Sequence, residues 1–271
     1  MYEDILFEVA DPVAAIVLNR PDRLNAFRTQ TMHELRDAVG RAAADERVVG
    51  IVITATGRGF CAGLDSADLA QAAAPGTEPR SSRERPDEAP ALFSYLLDVP
   101  KPVIAAVNGV CAGGGFVLAM MCDLRFAAED AVFNTVFSRR GLIAEHGTSW
   151  LLPRMVGVSR ALDLLWSSRP VSADEALSIG LVDRVVDADV LRSTATDYVR
   201  KLAESTSPRS LKVIKDLVYR HLGTPWPVAA VEADEAMQDS VRRDDFREGI
   251  ASFLEKRPPR FQRLGNGSLR A

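Results

Sequence analysis

The chain has 271 residues, 47% of them hydrophobic and 26% charged, which is enough apolar material for one sizeable α/β domain or a domain plus an appendage. A formal net charge of -4 with no block of lysines and arginines argues against nucleic acid as the main partner. Cys61, Cys111 and Cys122 are odd in number and read as reduced thiols of a cytoplasmic protein. Three histidines without CxxC or HxxxH spacing give no metal site, and the acidic N-terminus MYEDILFEVADP has neither a secretory nor a transit signal.

In chain order, Ile5 to Val9 and Val13 to Leu18 read as strands around the turn Asp11-Pro12. NRPDRLNAF, Asn19 to Phe27, is a loop dense in turn formers. Thr31 with Glu34 forms a capping box, and Met32, Leu35 and Val39 continue one helical face to about Ala44. Val48 to Thr54 is a β-branched strand. The loop after it, TATGRGFCAGLD, carries glycines that permit close backbone approach but matches no nucleotide-binding pattern. Ser66 to Ala74 reads as a short helix. Pro75 to Pro90, rich in proline, serine, arginine and acid, reads as a mobile loop or a lid, and Ala91 to Leu97 as helical.

Lys101 to Asp123, KPVIAAVNGVCAGGGFVLAMMCD, is the centre of the chain. It predicts a buried strand over Val103 to Val107, a glycine-rich turn over Asn108 to Gly113 and an apolar helix from about Gly114 to Cys122. Val103 to Cys122 is uncharged and as long as a membrane span, but Asn108 and four glycines within it, and the charged segments around it, speak against one. Glycines at a strand-to-helix junction fit two needs: tight packing, or oriented helix N-terminal amides offered to an anion.

Beyond Asp123, LRFAA and AVFNT read as strands, followed by FSRRGLIAEHGTSWLLPRMVG with a polar cluster at Glu145-His146-Gly147-Thr148 before an apolar helix. Ser172 and Glu175 cap a helix ending at Gly180, Leu181 to Val186 is a strand, and Asp189 to Ala203 an amphipathic helix. From Ser207-Pro208 the pattern is helical only, with helices near 208–222, 228–243 and 245–256. The change near residue 200 separates a region 1–200 carrying the site from a helical region 201–271.

The two glycine loops FCAGLD and NGVCAGGGFVLAMMCD, about fifty residues apart, make the chain resemble the crotonase family, the enoyl-CoA hydratase/isomerase superfamily, from LNRPDRLNAF through EKRPPRF. The resemblance implies an α/β fold, a spiral of ββα units with a C-terminal helical region that packs as a homotrimer or a dimer of trimers. It implies an acyl-CoA thioester as substrate, so that coenzyme A enters as part of the substrate and no separate cofactor is expected. It also implies an oxyanion hole built from two backbone amides, which fall here on Leu64 and Gly114. Leu24, Ala26 and Ala62 match the cradle of the adenosine end, while Phe253 and Lys256 match an aromatic and a lysine that complete the acyl and phosphate ends, in some members from a neighbouring subunit.

Hydratases of this family carry two glutamates at positions that are Val117 and Phe137 here. Water addition needs one group to activate water and one to supply a proton. With both carboxylates missing, the standard hydratase mechanism has no acid. Glu145 in GLIAEHGTS instead resembles the glutamate base of peroxisomal-type Δ3,Δ2-enoyl-CoA isomerases, and a dehalogenase branch places an aspartate nucleophile at the same point. A single carboxylate suits double-bond migration, taking a proton from C2 and returning it to C4. His146, in place of a usual glycine, could orient Glu145, and Asp65 reads as a carboxylate that holds its loop. The alternatives are a hydratase using Glu145 and His146, a catalytically silent acyl-CoA-binding subunit, or a Glu145 that only complements a helix dipole.

Overall fold

A computed structural model of the protein describes residues 2–74 and 91–265; the Pro75–Pro90 loop lies outside the described residues. The apolar runs read as strands become the middle of a six-stranded sheet. Its strands are β1 (Ile5–Ala10), β2 (Val13–Leu18), β3 (Gly50–Ala55), β5 (Val103–Val107), β7 (Leu124–Ala128) and β10 (Arg184–Val186), adjacent in that order. Only the β1–β2 pair is antiparallel. A parallel sheet of this kind is covered on both faces at its centre, so β2, β3 and β5 are near-continuous apolar runs. Alternation along the strands divides them between two cores: Ile51, Ile53, Val103 and Ala105 face the main core, Val52, Ile104 and Ala106 a smaller one.

A second sheet orders β4 (Gly59–Cys61), β6 (Val110–Ala112), β8 (Val132–Asn134) and β9 (Val171–Ser172). Each of the pairs β3–β4, β5–β6 and β7–β8 gives one strand to either sheet. Helix α2 (Ser66–Ala72) follows the first pair, α3 (Gly114–Met121) the second and α4 (Thr148–Val156) the third. The expected spiral of ββα units is therefore present. The repetition stacks the loops that leave β4, β6 and β8, although they are far apart in sequence.

Helix α1 (Thr29–Ala44) begins two residues before Thr31, and the predicted capping box is not the one that forms. The Thr31 hydroxyl accepts the Arg28 amide at 3.2 Å, while the Glu34 carboxylate takes the amides of Glu3 and Asp4 at 2.7 and 2.8 Å. The predicted helix over Ala91 to Leu97 is only a 3-10 turn at Ser94–Leu96, because Phe93 adopts a left-handed φ of 62°.

After α5 (Val158–Ser167) and α6 (Ala173–Ser178), α7 (Ala188–Ser205) buries Leu191, Ala195 and Val199 against the smaller core. Helices α8 (Pro208–His221), α9 (Trp226–Val241) and α10 (Asp244–Glu255) form the C-terminal region. Helix α8 is fastened to the sheet by Lys215, whose ammonium donates to Asp123 Oδ2 at 2.8 Å and to the Leu96 carbonyl at 3.0 Å, and by Tyr219, whose hydroxyl donates to Asp123 Oδ1 at 2.9 Å. Trp226, Phe253 and Leu254 of α9 and α10 are exposed in the single chain. Among the described residues, no helix is long and apolar enough to cross a membrane.

Candidate active site

The loop after β2 is shaped by one buried amide. Asn25 is 1% exposed; its Oδ1 accepts the Arg20 amide at 2.8 Å, and its Nδ2 donates to the carbonyls of Thr56 and Gly59 at 2.8 and 2.7 Å. Those bonds hold Leu24 and Asn25 at φ 49° and 55°, a left-handed turn that Asn tolerates better than most residues. The turn presents Ala26 and Phe27 as an extended edge.

FCAGLD runs alongside that edge. The Ala62 amide donates to the Leu24 carbonyl at 3.0 Å, the Phe27 amide to Gly63 O at 2.9 Å, and the Asp65 amide to Phe27 O at 2.9 Å. Phe27 and Leu64 thus form a parallel β-bridge. In such a bridge the residues flanking Leu64 bond to Phe27, so the amide and carbonyl of Leu64 itself point the other way. Leu64 is half-buried between buried Gly63 and half-buried Asp65. The Asp65 carboxylate accepts the Ala67 amide at 3.2 Å as the N-cap of α2 and pairs with Arg20 at 2.9 Å. That amide and that guanidinium hold its acid below the usual carboxylate range.

The glycine triplet lies against this loop. A Cβ on Gly63, at φ 100°, would stand 3.2 Å from the Gly114 amide nitrogen. Gly114 is the first residue of α3, so its amide has no partner within the helix. A side chain on Gly114 would overlap the Phe27 ring, and one on Gly115 would overlap the Cys61 carbonyl. The triplet packs tightly, and half-buried Gly114 lies next to the Leu64 loop with an amide that has no partner inside its helix.

A chain of contacts leads from there to the acid. The Phe27 ring meets Phe93 edge-on, with centroids 5.3 Å apart. The amide of Leu92, the residue before Phe93, donates to His146 Nδ1 at 3.4 Å. His146, at φ 50°, follows Glu145 in the turn before α4. The carbonyl of Glu145 accepts from the Thr148 amide at 2.9 Å and hydroxyl at 2.5 Å, which closes the turn. The half-buried Glu145 carboxylate makes no hydrogen bond or ion pair among the described residues. Partial desolvation of its ring lowers the affinity of His146 for a proton, although the residue stays exposed, and the neighbouring Glu145 charge opposes that shift.

Val117 and Phe137, at 0% and 3% exposure, belong to the main core and offer no acid. Ala26 is buried, and Leu24 and Ala62 are half-buried on the paired edges. Phe253 and Lys256 lie apart from these, at the end of α10, which packs chiefly on α9; Lys256 closes the helix in a left-handed conformation. Cys61 opens the second loop, but burial pushes its thiol up to about 12, which removes it as a nucleophile. Among the described residues, no group of three His, Cys, Asp or Glu could hold a metal ion. The sequence reading missed Asn25 and Arg20, whose partners lie as far away as Gly59 and Asp65.

Two glycine loops stacked by a ββα spiral, with a lone acid on the third loop, define an enzyme of the enoyl-CoA hydratase/isomerase family. The family model described as Enoyl-CoA hydratase/isomerase matches residues 8–264, and the chain belongs to that family. It is 36% identical over 263 residues to the 1,2-epoxyphenylacetyl-CoA isomerase of Escherichia coli K12, covering 96% of this chain and 99% of that protein. It is 31% identical over 255 residues to the short-chain-enoyl-CoA hydratase of Clostridium acetobutylicum, covering 94% and 95%. Among solved structures, subunit I of an enoyl-CoA hydratase from Geobacillus kaustophilus superposes with a TM-score of 0.85 at 34% identity, covering 96% of this chain and 98% of that one. An enoyl-CoA hydratase from Bacillus anthracis gives 0.86 at 28% identity, covering 96% and 99%.

Proposed function

We propose that this enzyme moves a double bond in an enoyl-CoA thioester through an enolate, with Glu145 as the acid–base group. The observation that carries the reading is the half-buried Glu145 carboxylate, which makes no hydrogen bond or ion pair among the described residues, while Val117 and Phe137 are buried and apolar. The carboxylate takes a proton from C2 of a 3-enoyl-CoA, and the C2–H electron pair moves into a dienolate. The enolate oxygen accepts from the amides of Leu64 and Gly114. Glu145 then gives the proton to C4, which leaves the double bond between C2 and C3. One oxyanion donor is worth about 10²–10³ in rate and general base catalysis about 10²–10⁴. The acyl-CoA substrate and the isomerase reading are supported by the names of the relatives above, one an isomerase and one a hydratase, both of CoA thioesters.

The test is a panel of 3-enoyl-CoA, 2-enoyl-CoA and 1,2-epoxyphenylacetyl-CoA, run with the unmodified enzyme and with Glu145→Gln. Isomerisation of 3-enoyl-CoA that falls at least about 100-fold in Glu145→Gln is expected. Turnover unchanged by that substitution would remove Glu145 as the base.

A further inference from the structure

We infer that Arg20 is the positioning residue for the Leu64 amide, an inference that rests on the oxyanion reading above. The strand pair that aims Leu64 is short, running only from Leu24 to Phe27 on one side and Ala62 to Asp65 on the other. Gly63, immediately before Leu64, sits at φ 100°, where no side chain restrains the backbone. The bridge therefore needs a brace, because a rotation of the Gly63–Leu64 peptide would turn the donor away.

Arg20 supplies one. One guanidinium nitrogen donates to the Ala26 carbonyl and the other to Asp65 Oδ2 at 2.9 Å. Ala26 precedes Phe27 on one edge, and Asp65 follows Leu64 on the other. A single planar group thus ties the two edges together on either side of the Phe27–Leu64 bridge. The side chains of Arg20 and Asp65 are only 18% and 13% exposed, so water competes weakly for the pair. The same Asp65 carboxylate caps α2, and the left-handed turn held by Asn25 fixes the backbone of Arg20 itself. A fork that reaches two acceptors at once is a property of guanidinium that a lysine ammonium lacks. Arg20 also lies 3.6 Å from Asp4, but Asp4 keeps Arg28 and Thr31 as partners without it.

The variants that separate aim from folding are Asp65→Asn, which keeps an N-cap oxygen for Ala67 while losing the charged partner, and Arg20→Lys, which keeps the charge while losing the fork. The readout is the carbonyl stretch of thioester-labelled butyryl-CoA in isotope-edited infrared difference spectra, beside the dissociation constant of the same ligand and kcat and KM for 3-enoyl-CoA. In the unmodified enzyme the bound carbonyl shifts to lower frequency than in water. In both variants that shift shrinks by at least about half and kcat falls at least about tenfold, while KM and the dissociation constant stay within about threefold, as expected when a donor is misplaced by a fraction of an ångström. Variants that retain the full shift, or that lose affinity in proportion to kcat, overturn the inference. An unmodified enzyme with no carbonyl shift overturns the oxyanion reading itself, and the role of Arg20 with it.

Discussion

The ring of Phe27 stands where a side chain on Gly114 would have to go, and it is held there by Phe93, 5.3 Å away and nearly perpendicular. The first residue of α3 therefore carries no side chain, because an aromatic ring from the loop after β2 fills the space. Gly114→Ala is expected to cost about 1–3 kcal/mol by overpacking, a fall of roughly 3–10 °C in Tm for a chain of this size. Phe27→Leu in the same chain should return much of that loss. Calorimetry of the two single variants and the double variant decides it: additive losses would mean that the two positions do not compete for space.

Lys215 and Asp123 join the C-terminal helices to the sheet, with side chains 9% and 16% exposed. Lys215→Met leaves Asp123 with the Tyr219 hydroxyl and the Val103 amide but no cation. Breaking one side of a buried pair costs about 3–5 kcal/mol. Hydrogen exchange should then quicken in α8 before it does in β3 and β5. Uniform quickening of all these elements would show that the pair stabilises the whole chain without fastening α8 in particular.

Lys101 is 1% exposed, and its ammonium donates to the carbonyls of Ala42 and Asp45 at the end of α1 at 3.0 and 2.7 Å. Burial pushes it down to about 8 from an ordinary 10.5, with the Asp45 charge opposing. Between those two values the unfolded chain holds more protons than the folded one, so this group makes stability rise with pH across that window. Below pH 8 the cost of burying the charge is present in full; it is relieved as pH climbs through 8 toward 10.5. The rise is on the order of 3 kcal/mol. Urea unfolding of the unmodified chain and of Lys101→Met at pH 7, 8.5 and 10 measures it. Parallel pH profiles for the two proteins would exclude Lys101 as its source.

Much of the fold was legible because burial on both faces writes strands as unbroken apolar runs, as in Val13 to Leu18 and Val103 to Val107. What could not be read were bonds between residues distant in sequence. Glu34 looked like a helix cap, but the chain entering β1 brings it the amides of Glu3 and Asp4. Phe93 interrupts an apparently helical stretch because of how its ring meets Phe27, a contact that residues 91–97 alone do not announce. In the site, the glycines of both loops and the lone acid Glu145 were visible as composition. The partnership of Arg20 with Asp65 was not, since neither residue carries a local signal of the other, 45 positions away.

The spiral also divides labour among the three stacked loops. The loops leaving β4 and β6 hold Leu64 and Gly114, both half-buried; the loop leaving β8 carries Glu145. Residues 137–147 can therefore gain, lose or relocate an acid without disturbing the peptide groups supplied by their neighbours. Selection could edit that single turn while the two glycine loops pass unaltered to the descendant.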